Sequence, residues 1–159
     1  MTSDRDRDAA GRPRNARPRD RTGRPLARDD EGAPSYDEPA YIDAATTIAE
    51  ADRLISEGMP FVAHEVLEAA WKEAGDNGDA SDRAFWRALA QLAVGLTHAQ
   101  RGNATGAVAL LRRGADELTA YDGVHHGVDV ARVRRDAVGL ASTIDASGTD
   151  GAGVIRLLA

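Results

Sequence analysis

The stretch from Asp82 to Arg101 most constrains what this chain can become. Phe85, Leu89, Leu92 and Leu96 recur there at helical spacing, while Trp86, Ala90 and Val94 fall round the back. A helix that is apolar on nearly every side must be covered on most of its circumference, so it needs other helices around it. This predicts the central helix of an all-α bundle. Its few polar residues are not scattered: Arg87, Gln91 and His98, with Arg101 slightly offset, lie along one side. A polar stripe on a buried helix has to find partners.

The flanking sequence supplies the covering helices. Ser35 and Glu38 have capping-box spacing, although Pro39 could instead mark a first turn. Tyr41, Ala44, Ala45, Ile48, Ala51, Leu54 and Ile55 then keep helical spacing until Gly58. Pro60 suits the first turn of a second helix, reaching about Ala74. The acids between Gly75 and Ser81 lack the ligand order of a calcium loop, so this reads as a polar turn ending in a Ser81 cap. Gly102 ends the third helix, and Asn103 can cap a fourth through Ala107, Leu110, Leu111, Gly114, Leu118 and Tyr121. There Gly114 would allow close helix contact. Val130, Val133, Ala137, Leu140 and Ile144 mark a fifth helix. The His125-His126 pair before it reads as a solvated turn, with no third metal ligand obvious nearby. Three glycines then lead into Val154-Ile155-Arg156-Leu157-Leu158, which can dock as a short extended or helical piece. The expected fold is one up-and-down bundle of about five helices over residues 35–159, with the third most buried and no convincing strand.

A chain of 159 residues fits one domain that buries a core without staples. There is no cysteine, which excludes disulfides, thiolate nucleophiles and Cys-based zinc sites. No apolar run follows the N-terminal Met-Thr-Ser-Asp-Arg-Asp, and nowhere do enough apolar residues run together to span a membrane, so a cytoplasmic protein without membrane contact is expected. Residues 1–34 alternate Arg and Asp among Gly and four prolines. Such a segment buries too little to offset its ordering entropy and is expected to be a disordered tail. Residues 1–33 hold 9 Arg and 7 acids, net +2, so the total of −6 leaves −8 for the remainder. An acidic domain is a poor match for a phosphate backbone, and no nucleic-acid partner is expected. Of the 20 basic residues only Lys72 is a lysine, a bias that fits either a GC-rich genome or a salty, halophilic cytoplasm.

Chemistry concentrates in the second helix. His64, Glu65, Glu68 and Trp71 fall within barely two turns. Ala63, Leu67, Ala70, Trp71 and Ala74 form one apolar stripe, with His64 and Glu68 stacked along its edge. An edge position can aim a half-buried polar group into a crevice between helices. The plainer reading is that His64 makes one hydrogen bond and Glu68 pairs with Lys72 at i,i+4, acid before base.

Taken together, His64-Glu65-Val66-Leu67-Glu68 with Trp71, then Phe85 leading into Leu89, Gln91-Leu92-Ala93, Leu96 and His98, then Gly102-Asn103 and Gly106-Ala107 with Leu110 and Leu111, resemble a known family. It is the family of small helical domains known as the domain of unknown function, number three hundred and nine. The resemblance spans about residues 54–121 and implies a helical bundle with no established activity. In that family Gln is usual where this chain has Arg87, Gly where it has Ala88, and Tyr or a second His where it has Thr97. His98 therefore stands without that neighbour.

Three functions are compatible with these residues. The first is a module that binds a small molecule or a protein in a crevice between helices two and three, lined by His64, Glu68, Trp71, Arg87, Gln91 and His98. The second is a metal-dependent hydrolase with His64, Glu68 and His98 as ligands, although His-Glu-x-x-Glu is neither the zinc motif His-Glu-x-x-His nor the Glu-x-x-His of di-iron bundles. The third is a scaffold that self-associates as a homodimer. No phosphate loop and no nucleophile elbow is present, so no cofactor is expected and no catalytic residue is assigned.

Overall fold

A computed structural model of the chain describes residues 18–27, 30–32 and 41–159. It divides into two units, residues 1–35 and 36–159, each taken by itself below.

The larger unit is a run of five helices: α1 (Ala44–Ser56), α2 (Pro60–Asp76), α3 (Ala80–Gln100), α4 (Ala104–Glu117) and α5 (Val130–Ser147). One connection is used three times. Each of the first three helices ends in a glycine of positive φ, Gly58, Gly78 or Gly102, and the residue after it donates its N–H back to the helix. Met59 bonds Leu54, Asp79 bonds Ala74, and Asn103 bonds His98, at 2.8, 3.1 and 2.9 Å. This is the Schellman geometry, which only glycine adopts cheaply. The next helix begins at once, so successive helices run antiparallel and pack as neighbours, the up-and-down arrangement expected.

α3 is the middle of the core. Phe85, Trp86, Ala88, Leu89 and Ala93 are fully buried on it. α4 crosses it closely at Gly114, where a Cβ would lie 2.7 Å from Leu92 Cδ2 and 2.9 Å from the Ala88 carbonyl oxygen. Gly95 answers from α3, its missing Cβ 2.9 Å from Leu111 Cγ. Each glycine faces a leucine of the other helix, so the backbones approach and Leu92 and Leu111 are buried.

Two helices start elsewhere than the sequence suggests. α1 begins at Ala44, where Asp43 accepts from the Thr46 amide and hydroxyl, both at 2.8 Å. Tyr41 therefore precedes the helix and packs edge-on against Trp86 at 6.3 Å. The expected Ser35–Glu38 cap and Pro39 lie outside the described residues. α3 is capped by Asp79 rather than Ser81, because Asp79 reaches the Asp82 amide at 2.9 Å and a carboxylate at a helix start also meets the positive end of the dipole.

A short hairpin interrupts the all-helical pattern. After a single 3₁₀ turn, Leu118–Ala120, strands β1 (Val124–His125) and β2 (Val128–Asp129) pair antiparallel, His125 opposite Val128. The two loop residues, His126 and Gly127, have φ of 48° and 82°, as a type I′ turn requires. Asp129 then caps α5 through the Arg132 amide at 3.0 Å. Helical periodicity could not reveal a turn of two residues on strands of two.

The segment after α5 docks as a strap without regular secondary structure. Ile155 and Leu157 are buried, and the Leu157 amide donates to Asp52 Oδ1 of α1 at 2.6 Å. Arg132 of α5 holds the carbonyls of Arg156 and Leu157 at 3.0 and 2.9 Å. In the smaller unit, Asp20 accepts from the amides of Thr22 and Arg24, and Arg19 bridges to Pro25, a local turn inside the segment expected to be a disordered tail.

Candidate functional site

α2 turns Ala63, Leu67, Ala70 and Ala74 inward, which leaves His64, Glu68 and Trp71 at its edge as the spacing requires. His64 Nε2 lies 3.8 Å from Glu68 Oε2, and Glu68 Oε1 lies 3.4 Å from Lys72 Nζ. Phe61 packs near the imidazole, centroids 6.3 Å apart. Burial pushes the His64 pKa below its ordinary value; the Glu68 carboxylate opposes this and the Lys72 ammonium adds to it. Its Nδ1 is buried with no hydrogen-bond partner among the described residues.

The α3 stripe has other partners. Arg87 Nε and Gln91 Nε2 share the carboxylate of Glu117 on α4, at 3.0 and 3.1 Å. Gln91 Oε1, like His64 Nδ1, is buried and without a hydrogen-bond partner among the described residues. His98 Nδ1 meets Asn103 Nδ2 at 2.9 Å beside Gly106, at the turn into α4. The six candidate residues therefore do not share one set of hydrogen bonds. Arg87 and Gln91 meet at Glu117, His64 and Glu68 meet each other, and His98 is held at a helix corner.

Two of the six, Trp71 and Arg87, line one cavity of about 340 Å³ where the end of α2 faces the start of α3. Arg83, one turn before Arg87, completes it. Its guanidinium lies 5.1 Å over the Trp71 ring and its Nε is 3.1 Å from where a Gly75 Cβ would stand. Gly75 thus makes room for the stacked arginine. Asp79 also lines the cavity, but its carboxylate is engaged with the Asp82 amide. Arg83 forms no ion pair among the described residues, in a chain with 26 acids and 20 bases. Chemically the cavity offers an indole wall and two guanidinium groups. In the sequence Arg83 has no mark of its own beyond its i,i+4 spacing from Arg87, which places the two on one helix face.

The His pair also differs from its expected solvated turn. The hairpin folds His125 and His126 back onto Asp82 in the first turn of α3, a third ligand-type side chain 43 and 44 residues away. Among the described residues these three form the group with metal-ligating atoms gathered within 4.8 Å; His64, Glu68 and His98 do not. No helix among the described residues is long and apolar enough to cross a membrane.

Residues 48–110 match the model of a family described as a domain of unknown function (DUF309). No curated protein matches the chain.

Proposed function

Since residues 48–110 match the model of DUF309, a family whose description names no activity, we propose a function from the geometry itself: a binding module that holds a small organic anion in the cleft between α2 and α3. The observation that carries this reading is Arg83, stacked on Trp71 and without an ion pair among the described residues, at the mouth of a cavity of about 340 Å³. That volume lies in the range of small-molecule sites, about 300–1,000 Å³. A guanidinium fork recognises a carboxylate or phosphate bidentately, and stacking on an indole holds the fork in place before the ligand arrives. Arg87 supplies the second cation, its Nε anchored by Glu117 at 3.0 Å so that the rest of the guanidinium can turn towards the cleft.

The test is a thermal-shift titration with phenyl phosphate and benzoate on the full chain. Binding is expected to raise the melting temperature in a saturable way and to be lost in Arg83→Ala and weakened in Arg87→Ala. Equal shifts in wild type and both variants would contradict the proposal. The hydrolase reading gains nothing comparable, since its three ligands are not gathered.

A further inference from the structure

In the first turn of α3, next in sequence to the cleft residue Arg83, Asp82 Oδ1 is met by two imidazoles. His125 Nε2 lies 3.1 Å away, and His126 Nε2 closes on the same oxygen. All three ligand-type atoms lie within 4.8 Å of one another. The structure assigns this cluster a role: we propose that Asp82, His125 and His126 bind one divalent cation of the zinc, cobalt and nickel class. Two imidazole nitrogens and one carboxylate oxygen suit these borderline ions, whereas magnesium and calcium take mostly oxygen ligands.

The geometry is close to what such an ion needs. Bonds of about 2.0–2.2 Å at tetrahedral or octahedral angles put neighbouring ligand atoms about 3–3.5 Å apart. His125 and Asp82 already stand at 3.1 Å, and His126 needs only to swing back slightly to admit the ion. The side chains are 21–32% exposed, so three protein ligands would leave at least one coordination position open to solvent.

The surroundings hold each ligand in place. Trp86 Nε1 donates to Asp82 Oδ2 at 3.0 Å, which fixes the carboxylate and leaves Oδ1 for the ion, the kind of outer support that metal ligands have. His126 stacks on the Trp86 ring, planes 15° apart and centroids 5.4 Å, and His125 packs on Phe85 at 4.5 Å. The turn itself places His126 at φ 48°, a left-handed conformation that Asn or Gly adopts more readily. Both histidines lie beyond the segment matched by DUF309, so only Asp82 of the three comes from it.

Because His126 stacks on Trp86, metal binding has an optical readout that a purely hydrogen-bonded cluster lacks. The full chain, stripped with chelator and then dialysed free of it, is titrated with Ni²⁺ and Co²⁺ in a Trp71→Phe background, so that Trp86 alone emits. One equivalent is expected to quench Trp86 and, for Co²⁺, to develop visible absorption. His126→Asn, which keeps the turn, and His125→Gln should each weaken binding more than about tenfold, the least that even an outer-shell partner contributes. His64→Gln should leave it unchanged. No stoichiometric binding, or equal affinity in His125→Gln and His126→Asn chains whose circular dichroism is that of wild type, would overturn the proposal.

Discussion

Arg156 reaches back across 104 residues to Asp52, its Nε and Nη2 on both carboxylate oxygens at 2.5–3.2 Å. The same carboxylate accepts the Leu157 and Leu158 amides at 2.6 and 3.3 Å. One buried acid on α1, 4% exposed, therefore fastens the strap that follows α5.

Removing that acid should unfasten the strap and strand two backbone donors. Asp52→Ala is expected to cost about 2–4 kcal/mol in urea unfolding, the range for breaking a buried charged network. Arg156→Ala should cost less, since the arginine is exposed and the amides remain. A change under about 0.5 kcal/mol for Asp52→Ala, the level of an ordinary surface substitution, would show that the strap contributes nothing.

Acid should destabilise the fold through two carboxyl groups. At Asp52 burial works to raise the pKa, but Arg156 and the Leu157 and Leu158 amides outweigh it and hold it below its ordinary value. At Asp82 burial is likewise outweighed, by hydrogen bonds from His126, His125 and Trp86. A depressed folded pKa gives stability that is present above the unfolded value, about 3.9, and lost as pH falls through the folded one. Urea midpoints should drop steeply below about pH 4, and Asp52→Asn should flatten that drop.

His64 should contribute with a different window. Its pKa is pushed down by burial, so below the unfolded value of about 6.5 the unfolded chain takes up a proton that the folded chain resists. Stability should fall as pH drops from about 6.5 towards the folded pKa. His64→Phe, which also removes the unpartnered Nδ1, should abolish that slope and be neutral or stabilising at pH 6.

The α3–α4 crossing tolerates no added methyl on its rigid side. Gly114→Ala would press a Cβ to 2.9 Å from the Ala88 carbonyl oxygen, so α4 must move out, at a cost of about 1–3 kcal/mol. Gly139→Ala on α5, with nothing within 4 Å, should be neutral or slightly stabilising through helix propensity. Thermal unfolding of the two variants side by side measures the difference.

How far the residues alone disclose this molecule depends on the range of the interaction. The five helices, the Asn103 cap and the close contact at Gly114 follow from local spacing and are found in the structure. The edge placement of His64 and Glu68 follows from one helix's periodicity. Asp82 with His125 and His126, by contrast, depends on a two-residue turn folding back across 43 residues, and Asp52 with Arg156 on a strap whose apolar run fits either helix or strand. Neither pairing leaves a periodic trace. Arg83 falls between these cases: its face was readable, but its stacking on Trp71 depends on Gly75 leaving room.

The central claim, an anion held beside Trp71, is tested most directly by the indole resonances. The chain has 2 tryptophans, and Trp86 Nε1–H is committed to Asp82 at 3.0 Å while Trp71 walls the cleft. In ¹H–¹⁵N spectra titrated with phenyl phosphate, the Trp71 indole signal is expected to move along a saturating curve while Trp86 stays still, and Arg83→Ala should abolish the movement. An unmoved Trp71 signal at millimolar ligand, or the same curve in Arg83→Ala, would contradict the assignment of this cleft.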